Sequence, residues 1–250
     1  MPVMRDDEIF EPSIVWSIVS HGQLRMIVDL LADLRAFLKS TESIILVLNI
    51  PEDESPLREF SDLPITIIRN AQSEGFGANH NKAFEVSPSL YFIVINPDVR
   101  LRRLSMSLLL EPFVAADVAA VAPLILSPDG KVEDSVRRFP TFGRLFIRSV
   151  LRRRKPDYAA GNMPIDVDWS AGMFVMFRSS AFRRVAGFDT RYFMYMEDAD
   201  ICRRLGKSGF RTILQPHTYV VHDAQRASRR NFQHLRWHLS SAFRFLFLPI

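Results

Sequence analysis

Short β-branched runs alternate with segments of helical period along the first part of the chain, and this alternation constrains the fold more than any other feature. IVWSIVS (Ile14 to Ser20) and IILVLN (Ile44 to Asn49) read as buried strands, and between them Leu24, Ile27, Val28, Leu31, Leu34 and Leu38 recur at helical spacing. That is a β-α-β unit. ITIIRN (Ile65 to Asn70), a helix through Asn79 to Val86, and YFIVIN (Tyr91 to Asn96) extend the alternation. The expectation is an α/β fold with a Rossmann-like, mostly parallel sheet flanked by helices. In such sheets ligands gather at the carboxyl ends of the strands. Here those ends carry Ser20-His21-Gly22, Asn49 with Glu52 and Asp53, the loop NAQSEGFGANHN, and Asn96-Pro97-Asp98.

Beyond these strands the pattern changes. SPDGK (Ser127 to Lys131) is a hairpin-type turn and DWSAGMFVMF (Asp168 to Phe177) reads as one strand, so a smaller mixed β region is expected. TILQP and YVVHD follow, then an amphipathic helix from about Ser228. With 250 residues, 48% of them hydrophobic, the chain can bury one substantial core. The expected division is one globular domain over residues 1–225, with a helical extension over 226–250 packed on it.

YFMYMEDADICRRLGKSGF (Tyr192 to Phe210) sets Glu197, Asp198 and Asp200 directly behind an aromatic run. A helix starting at Glu197 would place these acids in its first turn, basic residues in its last, and Gly209 past its end, which suits the helix dipole and a glycine cap. On that reading Ile201 and Leu205 face the core, and Asp200 pairs with Arg203 or Arg204. A reactive acid cluster is the competing reading.

One cysteine, Cys202, excludes an intramolecular disulfide framework and favours a reducing compartment. The start, MPVMRDDEIFEPS, lacks the apolar core of a signal peptide, so a cytoplasmic protein is expected. The apolar run Val118 to Leu126 is far shorter than the roughly 20 residues of a spanning helix. The formal charge is +4 and is unevenly spread. Arg144, Arg148 and Arg152 recur every fourth residue among apolar neighbours, a pattern that suits either an anionic membrane surface or a solvated helix. A peripheral position on the inner face of the cell membrane is therefore a further expectation. Nucleic acid is not expected as a partner, because no zinc spacing, basic zipper or RNA-binding aromatic signature occurs.

GFGANH (Gly75 to His80) approaches the dinucleotide fingerprint, but His80 stands where its third glycine belongs. Asn96-Pro97-Asp98 ends an apolar strand with an amide and a carboxylate, a corner able to hold a hard cation against a diphosphate. With one carboxylate there, phosphate oxygens, water or His222 would have to complete the shell.

NPDVRL (Asn96 to Leu101), the loop ending GFGANHN, and DWSAGMFVMFRSSAFRRVAGFDTRYFMYMEDADICRRL together resemble the inverting nucleotide-sugar glycosyltransferases of family 2, with the GT-A fold, and especially their bacterial rhamnosyltransferase-like members. The resemblance runs from the first strand to VVHD. It implies that Asp98 holds a divalent metal, Mg2+ or Mn2+, and that Asp198 is the catalytic base with Glu197 and Asp200 in support. It implies that His222 lies near the metal or diphosphate, and that Trp169, Gly172 and Met173 shape the acceptor site. The family's VDNxSxD pattern is absent: the chain reads VLNIPED, with Leu48 where the aspartate usually stands, leaving Asn49 and Asp53 as substitutes. Ser20, His21, Gly75, Phe76, Asn81 and Asn96 complete the expected donor-binding set.

The implied partners are a nucleotide-sugar donor, dTDP-rhamnose before UDP-hexoses, and a saccharide or lipid-linked saccharide acceptor of surface polysaccharide assembly. QHLRW (Gln233 to Trp237) matches the QxxRW signature of processive synthases, but Trp237 falls among Phe232, Leu235, Leu239 and Phe243 and reads as helix packing. The rival readings are a non-catalytic protein that binds a nucleotide or a membrane surface, and a nucleotidyltransferase on a similar sheet.

Overall fold

A computed structural model describes residues 13–144, 156–159, 161–223 and 232–247. The strands are β1 (Ile14–Ser20), β2 (Glu42–Leu48), β3 (Ile65–Arg69), β4 (Tyr91–Ile95), β5 (Val99–Arg103), β6 (Val118–Leu126), β7 (Val136–Arg137), β8 (Ile165–Val167), β9 (Trp169–Ser170), β10 (Phe174–Arg178) and β11 (Arg211–His222). The helices are α1 (Leu24–Arg35), α2 (Phe76–Val86), α3 (Met106–Leu110), α4 (Ser179–Arg184), α5 (Glu197–Lys207) and α6 (Phe232–Phe247).

One nine-stranded sheet runs in the order β3-β2-β1-β4-β10-β6-β11-β5, with β8 also paired to β11. The first four strands are mutually parallel, as the alternation predicts. β10 then enters antiparallel between β4 and β6. This reversal brings the N-terminal end of β10 to the carboxyl edge of β4, where the amide of Asn96 donates to the Met173 carbonyl at 2.9 Å.

Both sheet faces are covered, which is why the central strands are apolar throughout rather than alternating. Ile14, Trp16 and Ile18 of β1 pack with Ile27, Leu30, Leu31 and Leu34 of α1 on one face. Val15 joins Phe92, Phe177, Phe182, Tyr192, Cys202 and Leu205 on the other. Trp16 is wholly buried, and its indole N–H donates to Glu42 at 2.7 Å, so its one polar atom is satisfied.

One sequence expectation changes. DWSAGMFVMF is not one strand: β9 and β10 are separated by Ala171, Gly172 and Met173. TILQP and the YVVH of YVVHD belong to the single strand β11, whose register shifts between Gln215 and Tyr219. Among the described residues no helix is long and apolar enough to cross a membrane. Of the expected basic helix, Arg148 and Arg152 lie outside the described residues; Arg144 is inside them, and its guanidinium donates to the Phe139 carbonyl at 3.3 Å.

Candidate active site

The strand ends and the start of α5 enclose a cavity of about 840 Å³. One part of its wall carries His21, Asn49, Phe76, Asn96 and Asp98, and an adjoining part Trp169, Gly172, Met173, Glu197 and Asp198. Residues from both halves of the chain thus meet at the carboxyl edge of the sheet.

Asp98 sits in the turn between β4 and β5, its position held by Asp223 N–H donating to the Asp98 carbonyl at 3.0 Å. Its carboxylate Oδ2 is 3.3 Å from His222 Nε2, while Oδ1 is buried without a hydrogen-bond partner. Nδ1 of His222 is 2.8 Å from Glu133 Oε2. Burial opposes a charge on His222, but hydrogen bonds and charges of Asp98 and Glu133 outweigh it and raise its pKa to about 9.

A divalent cation fits this corner. A buried carboxylate oxygen without a partner is costly unless something meets it, and a cation binding here would displace the proton that the raised pKa leaves on His222. Among the described residues no three His, Cys, Asp or Glu side chains cluster as a ready-made metal site, so substrate oxygens and water would have to supply the remaining ligands.

The second carboxylate pair lies at the N-terminus of α5. Tyr195 and Met196 just before it both have positive φ, 71° and 68°, a strained left-handed pair that turns the chain abruptly into the helix. Asp198 Oδ1 accepts from its neighbour Ala199 N–H at 2.8 Å and Oδ2 from Gly172 N–H at 3.3 Å. Glu197 is buried, with Oε2 unpartnered. Burial raises the pKa of both carboxyls, and the charge of Asp198 raises that of Glu197 further. The adjacent Arg137 guanidinium works the other way on Asp198.

Several expected site residues do other work. Asp200 turns away from the cavity into ion pairs with Arg203 at 3.2 Å and Arg204 at 2.7 Å, the pairing that helical spacing suggested. It does not join Glu197 and Asp198. Ser20 accepts from Gln23 N–H and shapes the entry to α1. Asp53 is bonded to Ser55 outside the cavity, so it does not stand in for the missing aspartate. Asn81 clasps both backbone groups of Phe188 at 2.8 and 2.9 Å.

Gly75 serves close packing: a Cβ there would stand 2.6 Å from the Phe193 carbonyl oxygen. Gly77 does the same against Phe188. Asn49 reaches the cavity, yet its amide is occupied within the protein. It donates to the Glu74 carbonyl at 2.9 Å and accepts from Asn70 Nδ2 and Glu74 N–H, pinning the loop after β3.

Other cavity residues were missed from sequence. Gln233, His234, Trp237 and His238 of α6 line it, so Trp237 is no mere packing residue; its ring lies 4.7 Å from that of Phe193. Tyr195 Oη is 2.8 Å from His234 Nδ1. The QHLRW match was the available signal. Arg137, over the Trp169 ring at 5.4 Å, also lines the cavity, and the doublet Arg137-Arg138 had no pattern to single it out.

Residues 17–184 match the family model described as glycosyl transferase family 2. The chain is 34% identical over 185 residues to rhamnosyltransferase WbbL of Escherichia coli (strain K12), covering 69% of this chain and 70% of that protein. It is 36% identical over 169 residues to the N-acetylglucosaminyl-diphospho-decaprenol L-rhamnosyltransferase of Mycobacterium tuberculosis (strain ATCC 25618 / H37Rv), covering 62% of this chain and 54% of that protein. The match thus spans about half the length of the mycobacterial enzyme. Among solved structures, GalNAc-T7 with UDP, GalNAc and Mn2+ superposes with a TM-score of 0.65 at 14% identity, covering 88% of this chain and 45% of the other. Mannosyltransferase PcManGT from Pyrobaculum calidifontis, in complex with GDP-Man and Mn2+, gives 0.62 at 17% identity, covering 95% and 66%. At these identities the likeness is one of fold, the GT-A type.

Proposed function

The chain belongs to glycosyl transferase family 2, and from that premise we propose that it moves a rhamnosyl group from dTDP-rhamnose to a saccharide or lipid-linked saccharide. UDP-hexoses are the next donors in line. The similarity to two named rhamnosyltransferases supports this choice of sugar, and the decaprenyl-linked substrate in the name of one supports a lipid-linked acceptor. We assign the reaction to surface polysaccharide synthesis at the cytoplasmic face of the cell membrane.

In the proposed reaction Asp198 accepts the proton of an acceptor hydroxyl while that oxygen bonds to the anomeric carbon. The bond from that carbon to the diphosphate oxygen breaks on the opposite face, so configuration inverts and nucleoside diphosphate leaves. Asp198 suits this role because burial raises its pKa and so makes its carboxylate a stronger base than an ordinary aspartate, while two backbone N–H groups and Arg137 favour the ionised form. Burial and the charge of Asp198 push the Glu197 pKa well above the usual carboxylate value, which disfavours a second negative charge beside Asp198. Asp98 and His222 would hold a divalent cation, Mg2+ or Mn2+, which supplies positive charge to the departing diphosphate.

The observation that carries this reading is the pairing, across one cavity, of Asp98 with a spare buried oxygen and Asp198 with a raised pKa. The test screens nucleotide sugars for thermal stabilisation with and without Mn2+, then follows products by NMR. Free nucleoside diphosphate and an inverted anomeric centre are expected. Pyrophosphate release would favour nucleotidyl transfer, and binding without turnover a non-catalytic role.

A further inference from the structure

Helix α6 has two unlike sides. Gln233, His234, Trp237 and His238 line the cavity, Ser241 donates to the Met194 carbonyl at 2.9 Å, and Phe245 is buried under the Arg203 guanidinium at 3.7 Å. On the other side Leu235, Leu239, Phe243 and Phe247 are 55%, 62%, 59% and 51% exposed. Steps of four residues advance only about 40° around a helix, so these four form one slanting stripe about 18 Å long. Phe142, 63% exposed, extends it by packing its ring 5.0 Å from that of Phe247.

Large apolar side chains gathered in one exposed patch mark a contact surface. The charge around this one selects its partner. FQHLRWHLSSAFRFLF contains arginines and no acid, Arg236 is exposed beside the stripe, and Arg144 follows Phe142 by two residues. A second copy of this chain would bring the same cations to the same face, whereas an anionic bilayer offers acyl chains for the stripe and phosphates for its arginines.

We propose that this face of α6, with Phe142, lies on an anionic lipid bilayer, the stripe entering the boundary between headgroups and acyl chains. The inference rests on the lipid-linked acceptor proposed above and deepens it. A helix that lies on the bilayer with one side and lines the cavity with another would let an acceptor present its sugar while its lipid stays in the membrane.

The test is co-sedimentation of the full chain with vesicles of phosphatidylglycerol and phosphatidylethanolamine. Leu239→Glu/Phe243→Glu, both positions exposed, should keep the wild-type Tm and lose about tenfold or more of vesicle binding. Arg236→Glu should weaken binding less, and the wild-type interaction should fall with added salt. Equal sedimentation of the double variant would overturn the proposal, as would a wild type that ignores vesicles but forms a dimer the double variant breaks. Transfer to a water-soluble acceptor, measured on the same proteins, separates the two readings. A wild type that binds vesicles but transfers no sugar sinks the proposed function and leaves the membrane face standing.

Discussion

Glu133 Oε2 lies 2.8 Å from Nδ1 of His222 and so turns the other ring nitrogen toward Asp98. A carboxylate behind an imidazole fixes both its tautomer and its direction, and losing such a partner typically costs about 10- to 100-fold in metal affinity. Glu133→Ala should weaken Mn2+-dependent binding of nucleoside diphosphate by that range in a calorimetric titration. Glu133→Gln keeps an acceptor oxygen and should stay near wild type. Equal affinity in both variants would mean that other contacts hold the ring.

Asp198→Asn keeps the shape of the side chain and removes its capacity to take a proton. Transfer should fall by about 100-fold or more while donor binding persists. Glu197→Gln should cost less, since burial and the charge of Asp198 already disfavour a charge on that carboxyl. Asp200→Asn should act on stability instead, because it strands Arg203 and Arg204 beside a buried position, at a cost of about 3 kcal/mol in chemical denaturation. Near wild-type turnover by Asp198→Asn would move the base elsewhere.

The raised pKa of Glu197 gives a signed pH effect. Folded protein holds this proton more tightly than unfolded chain, so the stability it contributes is fully present below the unfolded value of 4.5. It is lost as pH rises from there through the folded pKa. Glu197→Gln should therefore gain stability relative to wild type as pH rises toward neutrality. A difference between the two proteins that is flat with pH would show that Glu197 titrates normally.

Two glycines should respond oppositely to alanine. At Gly75 the new Cβ would stand 2.6 and 2.9 Å from backbone atoms of Phe193, so Gly75→Ala should destabilise by about 1–3 kcal/mol and loosen the cavity wall. At Gly206, within α5, nothing lies within 4 Å, and Gly206→Ala should stabilise by up to about 1 kcal/mol. Thermal melts of the two variants check both signs.

The parallel strands and α1 were legible because burial on both faces leaves a repeating apolar signature. The reversal at β10 was not, since strand direction leaves no mark on composition and DWSAGMFVMF is continuous across the break at Gly172. Asp98, Glu197 and Asp198 could be picked out by motif. Ser20, Asp53 and Asn81 could not be sorted the same way, because a short polar side chain after a strand serves a turn as readily as a ligand. Trp237 was misjudged for a related reason: an aromatic residue at helical spacing looks the same whether it meets a core or a cavity.

The antiparallel insertion of β10 also bears on how such a protein can change. It makes the Asp98 wall and the Asp198 wall products of stretches far apart in the gene, joined at one edge by contacts such as Asn96 N–H to the Met173 carbonyl. Recombination between them could graft a new second wall onto an unaltered first one.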